Sequence, residues 1–398
     1  MRRVAMFSGL VLAAGLAVFV SSPRAQTSED VNGCYKEISP DQAINYCTRA
    51  IGAGQLSASK LAIIFTNRGN AYNSKGDYDR AIQDFSQAIR LDPKCAYAFN
   101  GLGNAYNGEA DYDQAIQNYD RAIRLISNYG YAFNGRGNAY NSKGDYDRAI
   151  QDFDQAIRLN PNFAYAFNGR GNSYNDKGNY DRAIQDYGQA VRLNPNYADA
   201  FFNRGNAYNH KGDYDRAIQD YDQAIRLNPS FADAFFNRGF TRFKEGSIAM
   251  AVSDFAKSAE LVPANRYNIL WSYVAAARAR QNADPALLNT QGLDLESWPG
   301  PVLSLFLRKK DRNALLKEAR DPDAEKEHDR LCEAHFFLAE YELLAGVEKA
   351  AEADFQEAVD TCRPTVVEYA AAAAELKRLP GQSPSQIDAN KKPDVNLR

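Results

Sequence analysis

The sequence predicts an all-α fold built as a solenoid of stacked helix pairs. Three observations carry that prediction. Gly69, Gly103, Gly137, Gly171, Gly205 and Gly239 lie 34 residues apart, and Ala81, Ala115, Ala149, Ala183, Ala217 and Ala251 keep the same step. Proline follows it at Pro93, Pro161, Pro195, Pro229 and Pro263, with Ser127 in the one gap. Within each period the apolar residues fall at helical spacing, and no strand-like alternation is evident. One short helix pair cannot bury its own apolar surface, so neighbouring periods must stack to make a core.

Taken in order, the chain opens on a targeting pattern. Arg2 and Arg3 precede an apolar run from Val4 to Val20, followed by Ser21, Ser22, Pro23, Arg24 and Ala25. This is the layout of a secretory signal peptide over residues 1–25. An uncleaved membrane anchor is the alternative. Cys34 lies too far past the apolar run to serve as a lipid-attachment cysteine. Residues 26–61 contain "SPDQAINYCTRAIGAG", which reads as the second helix of a repeat that lacks its first and suits an N-terminal half-repeat cap.

Six units then occupy residues 62–265. In the third, a first helix is expected over about Ala132 to Ser142. Gly144 ends it and Asp145 caps the next helix, which runs from Tyr146 to Leu159 and stops at Asn160-Pro161. Phe133, Tyr140, Ile150, Phe153, Ile157 and Leu159 supply apolar surface, and small Gly137 and Ala149 let the helices approach. The second unit has Ala110 at its turn and Ser127 at its close, so a local irregularity is expected there.

The order Gly137, Tyr140, Ala149, Phe153, Ala156, Pro161 at this period closely resembles the tetratricopeptide repeat (TPR). The resemblance implies a right-handed superhelical solenoid whose first helices line a concave groove that takes peptides. One departure stands out: the residue before the repeat glycine is Arg in most units, as in Arg136, and only Leu102 keeps the usual aliphatic type.

Residues 266–379 lose the strict register and read as a degenerate, TPR-like helical C-terminal domain. It contains "YNILWSYVAAARAR", a helix after Pro299 and Pro301, a helix pair turning at Gly346, and a last helix from about Thr365 to Leu379. Its "LWSY" helix, Trp298 segment and "FFLAEYELLAG" are similar to the C-terminal part of bacterial outer-membrane TPR lipoproteins, which scaffold cell-wall endopeptidases and a periplasmic protease. No lipid-attachment motif follows the signal here, so neither tether nor clients carry over. Residues 380–398 are expected to be a disordered tail.

Charge and composition narrow the function. The 398 residues carry 47 Lys and Arg against 50 Asp and Glu, a formal charge of −3, which leaves no basic footprint for nucleic acid. Mean hydropathy is −0.53, and no second apolar span follows the first, so membrane contact is expected only through an uncleaved signal. Of five cysteines in an exported chain, four are expected to pair. Cys332 and Cys362 mark the two ends of the last helix pair, and Cys34 and Cys47 form the other pair, leaving Cys95 free.

Catalytic chemistry finds little support. His328, Cys332 and His335 share one helical face at i, i+4, i+7, and with Cys362 they could make a zinc set. A disulfide with two incidental histidines is the competing reading, and the one preferred in an exported chain. His210 reads as a surface residue. No cofactor and no small-molecule substrate are implied.

The expected binding face is the row of first helices. It presents Asn70 and Asn73; Tyr97, Asn100, Asn104 and Asn107; Tyr131, Asn134, Asn138 and Asn141; Tyr165, Asn168, Asn172 and Asn175; then Asn206 and Asn209. A carboxamide donates and accepts together and so matches a peptide group. Tyr adds contact area at low entropy cost. A structural reading competes, in which the asparagines bond to one another. In the sixth unit the face becomes Phe236, Phe240 and Phe243, expected to be covered by C-terminal helices near Trp271. The sequence therefore predicts an exported, periplasmic, non-catalytic scaffold that binds protein or peptide partners. A metal-dependent or accessory hydrolase centred on His328, Cys332 and His335, and a membrane-anchored envelope assembly factor, are the alternatives.

Overall fold

The structure is a computed structural model that describes residues 23–36, 39–54, 56–279, 290, 292–364 and 366–379. The expected signal segment up to residue 22 and the expected tail, residues 380–398, lie outside the described residues. All regular structure among the described residues is helical, as the sequence predicts. None of these helices is long and apolar enough to cross a membrane. The chain divides into two units, within residues 1–161 and 162–398.

The first unit holds α1 (Pro23–Cys34), α2 (Pro40–Gly52), α3 (Ala58–Ser74), α4 (Tyr78–Leu91), α5 (Ala96–Gly108), α6 (Tyr112–Leu125), α7 (Gly130–Ser142) and α8 (Tyr146–Leu159). Each helix packs on the next, and α5 also lies against α3 and α7. The punctuation acts as the sequence implies. Asp77, Asp111 and Asp145 accept from the third backbone N–H of the helices they precede. Gly76 and Gly144 turn at φ +74° and +78°. Ala110 makes the same turn at φ +61°, so the expected irregularity of the second repeat is a strained alanine inside an unchanged pair.

The N-terminal cap is a helix pair rather than a half-repeat. Helix α1 has no apolar stripe that would reveal it in the sequence, and it is held by the Cys34–Cys47 disulfide and by Asp30 bonded to Arg49. Ser39 and Gln42 form a reciprocal capping box on α2.

The second unit holds α9 (Ala164–Asp176), α10 (Tyr180–Leu193), α11 (Ala198–His210), α12 (Tyr214–Leu227), α13 (Ala232–Lys244), α14 (Ile248–Leu261), α15 (Arg266–Arg278), α16 (Gly300–Phe306), α17 (Arg312–Glu318), α18 (Ala324–Leu344), α19 (Glu348–Thr361) and α20 (Val367–Arg378). Its core centres on Trp271, fully buried, with ring contacts to Phe236, Phe240, Phe243, Phe255, Phe336 and Phe337. The Phe stripe of the last repeat is thus closed by Trp271 of α15, and α20 also packs on α13. Fully burying each such ring stabilises by about 2–3 kcal/mol. Arg378 of α20 donates to the carbonyl oxygens of Phe243 and Lys244, capping the end of α13.

Candidate peptide-binding face

Five of the six repeats fix their first helix on their second with a latch. Arg136 Nε and Nη2 donate to Asp152 Oδ2 at 2.7 Å and Oδ1 at 2.6 Å. Arg68–Asp84, Arg170–Asp186, Arg204–Asp220 and Arg238–Asp254 repeat it at the same sequence separation of 16. These are the arginines that depart from the usual aliphatic type. In the second repeat Leu102 and Asn118 replace both partners together. Burial pushes the carboxyls of Asp152 and Asp220 above the ordinary carboxylate range despite the guanidinium that pulls them down.

Other first-helix positions face outward, with or without the latch. Tyr97, Tyr131 and Tyr165 are 61 %, 63 % and 55 % exposed. Ile63 holds the same register in the first repeat and is exposed as well. Tyr129 stacks edge-on between Tyr97 and Tyr131 in the first unit, and Tyr165 meets Tyr197 in the second. Helix α5 has no charged side chain, and the one charge of α7, Arg136, is spent on Asp120 and Asp152.

The asparagines fall into two states that the sequence does not distinguish by type. Some are bonded within the protein. Tyr119, Tyr187 and Tyr221 donate their buried hydroxyls to Oδ1 of Asn104, Asn172 and Asn206 at 2.7–2.8 Å. Asn203 Nδ2 reaches Asn168 and Asn172, and Asn237 Nδ2 reaches Asn206. Asn209 accepts from Lys244 Nζ at 2.8 Å, and burial lowers that ammonium to about 8. Where the second helix carries Phe85 or Phe153 instead of Tyr, Asn70 and Asn138 receive no such bond and stay exposed. Asn141 is engaged within the protein.

The others are open. Oδ1 of Asn73, Asn100, Asn107, Asn134 and Asn175 is buried with no donor. An unpaired buried acceptor costs roughly 1–3 kcal/mol. The expected mutual bonding of asparagines therefore holds for part of the second unit and fails for most of the first.

The metal reading is corrected here. Cys332 is bonded to Cys362, so no thiolate is available as a ligand. Cys332 also sits well inside α18 rather than at its start, level with the end of α19. His335 Nδ1 pairs with Asp354 Oδ1 at 2.7 Å, beside Arg312, and His328 is exposed. Among the described residues no group of three or more His, Cys, Asp and Glu is placed to hold a metal. His210 is exposed, as expected, and stacks on Tyr180 at 5.0 Å; partial desolvation by its neighbours, then Lys244, holds its imidazole below the usual range.

Comparison with known proteins agrees with this geometry. Tetratricopeptide-repeat models match residues 96–129, 130–163, 168–230 and 211–266, and a TPR repeat model matches 69–108. A tetratricopeptide repeat protein from Parabacteroides merdae is similar at 18% identity and TM-score 0.50, covering 63% of this chain and 98% of its own. The APC/C hetero-tetramer Cut9-Hcn1 is similar at 16% identity and TM-score 0.51, covering 64% of this chain and 55% of its own. These two likenesses concern the fold. YrrB, described as a TPR protein with an unusual peptide-binding site, shares 27% identity at TM-score 0.36, over 47% of this chain and 95% of its own. No curated protein matches the chain significantly.

Proposed function

We propose that this chain, whose residues 69–163 and 168–266 match tetratricopeptide-repeat models of a family that generally mediates protein–protein interactions, is an exported scaffold that holds extended peptide segments of protein partners on its first-helix face. One observation carries the reading. That face joins exposed tyrosines to carboxamides that lack partners, on helices nearly free of charge. A peptide backbone supplies both the donor and the acceptor that a carboxamide needs. The neutral face of α5 and α7 disfavours a ligand held by a terminal carboxylate, since neither helix carries a lysine.

Export is supported by the N-terminal pattern and by two disulfides, which persist in oxidising compartments. Fusing residues 1–40 to a reporter active only after export tests localisation; a fusion that is expressed but inactive contradicts it. For binding, Tyr97→Ala with Tyr131→Ala should weaken capture of array-selected peptides at least tenfold. Unchanged capture by that variant would contradict the face assignment.

A further inference from the structure

We propose that the grip is confined to the first three repeats, where Asn73, Asn100, Asn107 and Asn134 read the backbone of an uncharged, extended peptide segment. This rests on the peptide-binding reading and narrows it to one part of the array and one class of ligand.

The division follows from what each repeat offers its predecessor. In the later repeats the following first helix supplies a donor. Asn203 closes on Asn168 and Asn172, Asn237 on Asn206, and Lys244 on Asn209. In the first unit the positions equivalent to Asn203 are Gly101 and Gly135. A Cβ there would come within 2.3 Å of the Phe85 ring and 2.5 Å of the Tyr119 ring, so packing excludes any side chain that could donate. Asn100, which Gly135 follows, consequently keeps a buried oxygen without a donor, and Asn73, Asn107 and Asn134 share that state. None of the four makes a side-chain hydrogen bond within the protein. In the second unit Asn175 alone keeps such an oxygen, and its nitrogen already turns to Asp176.

A carboxamide in this state has one end turned inward and one outward. Rotation about its broad terminal torsion exchanges them at little cost. The outward end can therefore be donor or acceptor, and a peptide group, which carries both side by side, can meet it in either orientation. The absence of free charge on α5 and α7, with Arg68 of α3 held by Asp84 and Lys60 in the first turn of α3, far along the helix from Asn73, disfavours acidic or basic segments. Adjacent first helices packed roughly 8–10 Å apart place rungs about every three residues of an extended chain. Three helices then require a segment of about six to eight residues. Ile63, Tyr97 and Tyr131 line the edge where its side chains would rest.

The test uses the full chain against an array of synthetic ten-residue peptides, neutral, acidic and basic, with fluorescence anisotropy on the hits. The wild type should select neutral peptides. Asn100→Ala/Asn107→Ala/Asn134→Ala should weaken binding at least tenfold, and Asn203→Ala/Asn237→Ala less than twofold, with circular dichroism checking that both fold. N-methylation of a bound peptide, one residue at a time on the wild-type protein, should abolish binding at positions about three apart. Loss of binding in the Asn203/Asn237 variant with retention in the triple variant places the grip in the later repeats and overturns the confinement while leaving peptide binding intact. Selection of charged peptides, or an N-methyl scan without effect, overturns backbone reading of a neutral segment. If no peptide of any class binds, the peptide-binding reading itself falls with the inference.

Discussion

Replacing Asp220 by Asn should destabilise the array, and replacing Arg204 by Leu in the same chain should restore it. Asp220 accepts two bonds from Arg204 at 2.7 Å, with the two side chains 7 % and 21 % exposed. Burial raises the Asp220 carboxyl, so pairing only offsets desolvation, and the intact latch contributes little over an apolar contact. Half a latch differs, because it leaves a guanidinium between α11 and α12 without its counter-charge. Removing one partner of a fully buried pair costs about 3–5 kcal/mol, and the residual exposure of Arg204 reduces this to about 2–3 kcal/mol. The double change copies the second repeat, where Leu102 is buried and Asn118 turns its amide to the Gln114 carbonyl at 2.8 Å. It should lie within about 1 kcal/mol of wild type. Urea titration followed by circular dichroism measures both. A single variant within about 0.5 kcal/mol of wild type, or a double variant no better than the single, refutes the reasoning.

Three further outcomes follow from the same geometry. Ala110→Gly should stabilise by about 1 kcal/mol in a thermal melt, since it relieves the left-handed turn at φ +61°. Tyr187→Phe should cost about 1 kcal/mol by removing the hydroxyl bonded to Asn172, while Phe153→Tyr should be neutral or stabilising because Asn138 awaits that hydroxyl. Burial lifts the Glu368 carboxyl to about 8, so the folded state binds a proton that the unfolded state has released. Its contribution is full below the unfolded value and is lost as pH rises from about 4.5 to 8, at up to ~1.4 kcal/mol per unit. Glu368→Gln should flatten the fall in melting temperature across that range, and an unchanged pH profile contradicts the assignment.

Repetition made the array legible. A helix such as Tyr146–Leu159 is announced by its Asp cap, found in four units, and by the proline two residues past its end, found in five. Helix α1 escaped because its packing rests on a disulfide and on Val31 rather than on a stripe. The latch was visible in principle, as Arg and Asp at a constant separation of 16 that change together at Leu102 and Asn118. It went unread because the arginines looked like isolated departures from a pattern. The state of the asparagines was not legible. Asn100 and Asn168 occupy equivalent positions, and what separates them is whether the following repeat offers Asn203 or Gly135.

The claim that peptide lies along the first helices is tested most directly by site-specific photo-crosslinking. A photoreactive phenylalanine analogue is placed at Tyr131 on α7 or at Arg158 on α8, two exposed positions of one repeat on opposite helices. Each protein is irradiated with a neutral ten-residue peptide from the array, and adducts are mapped by mass spectrometry. Adducts at position 131 and none at 158 are the predicted result. Adducts at 158 with none at 131 would contradict it.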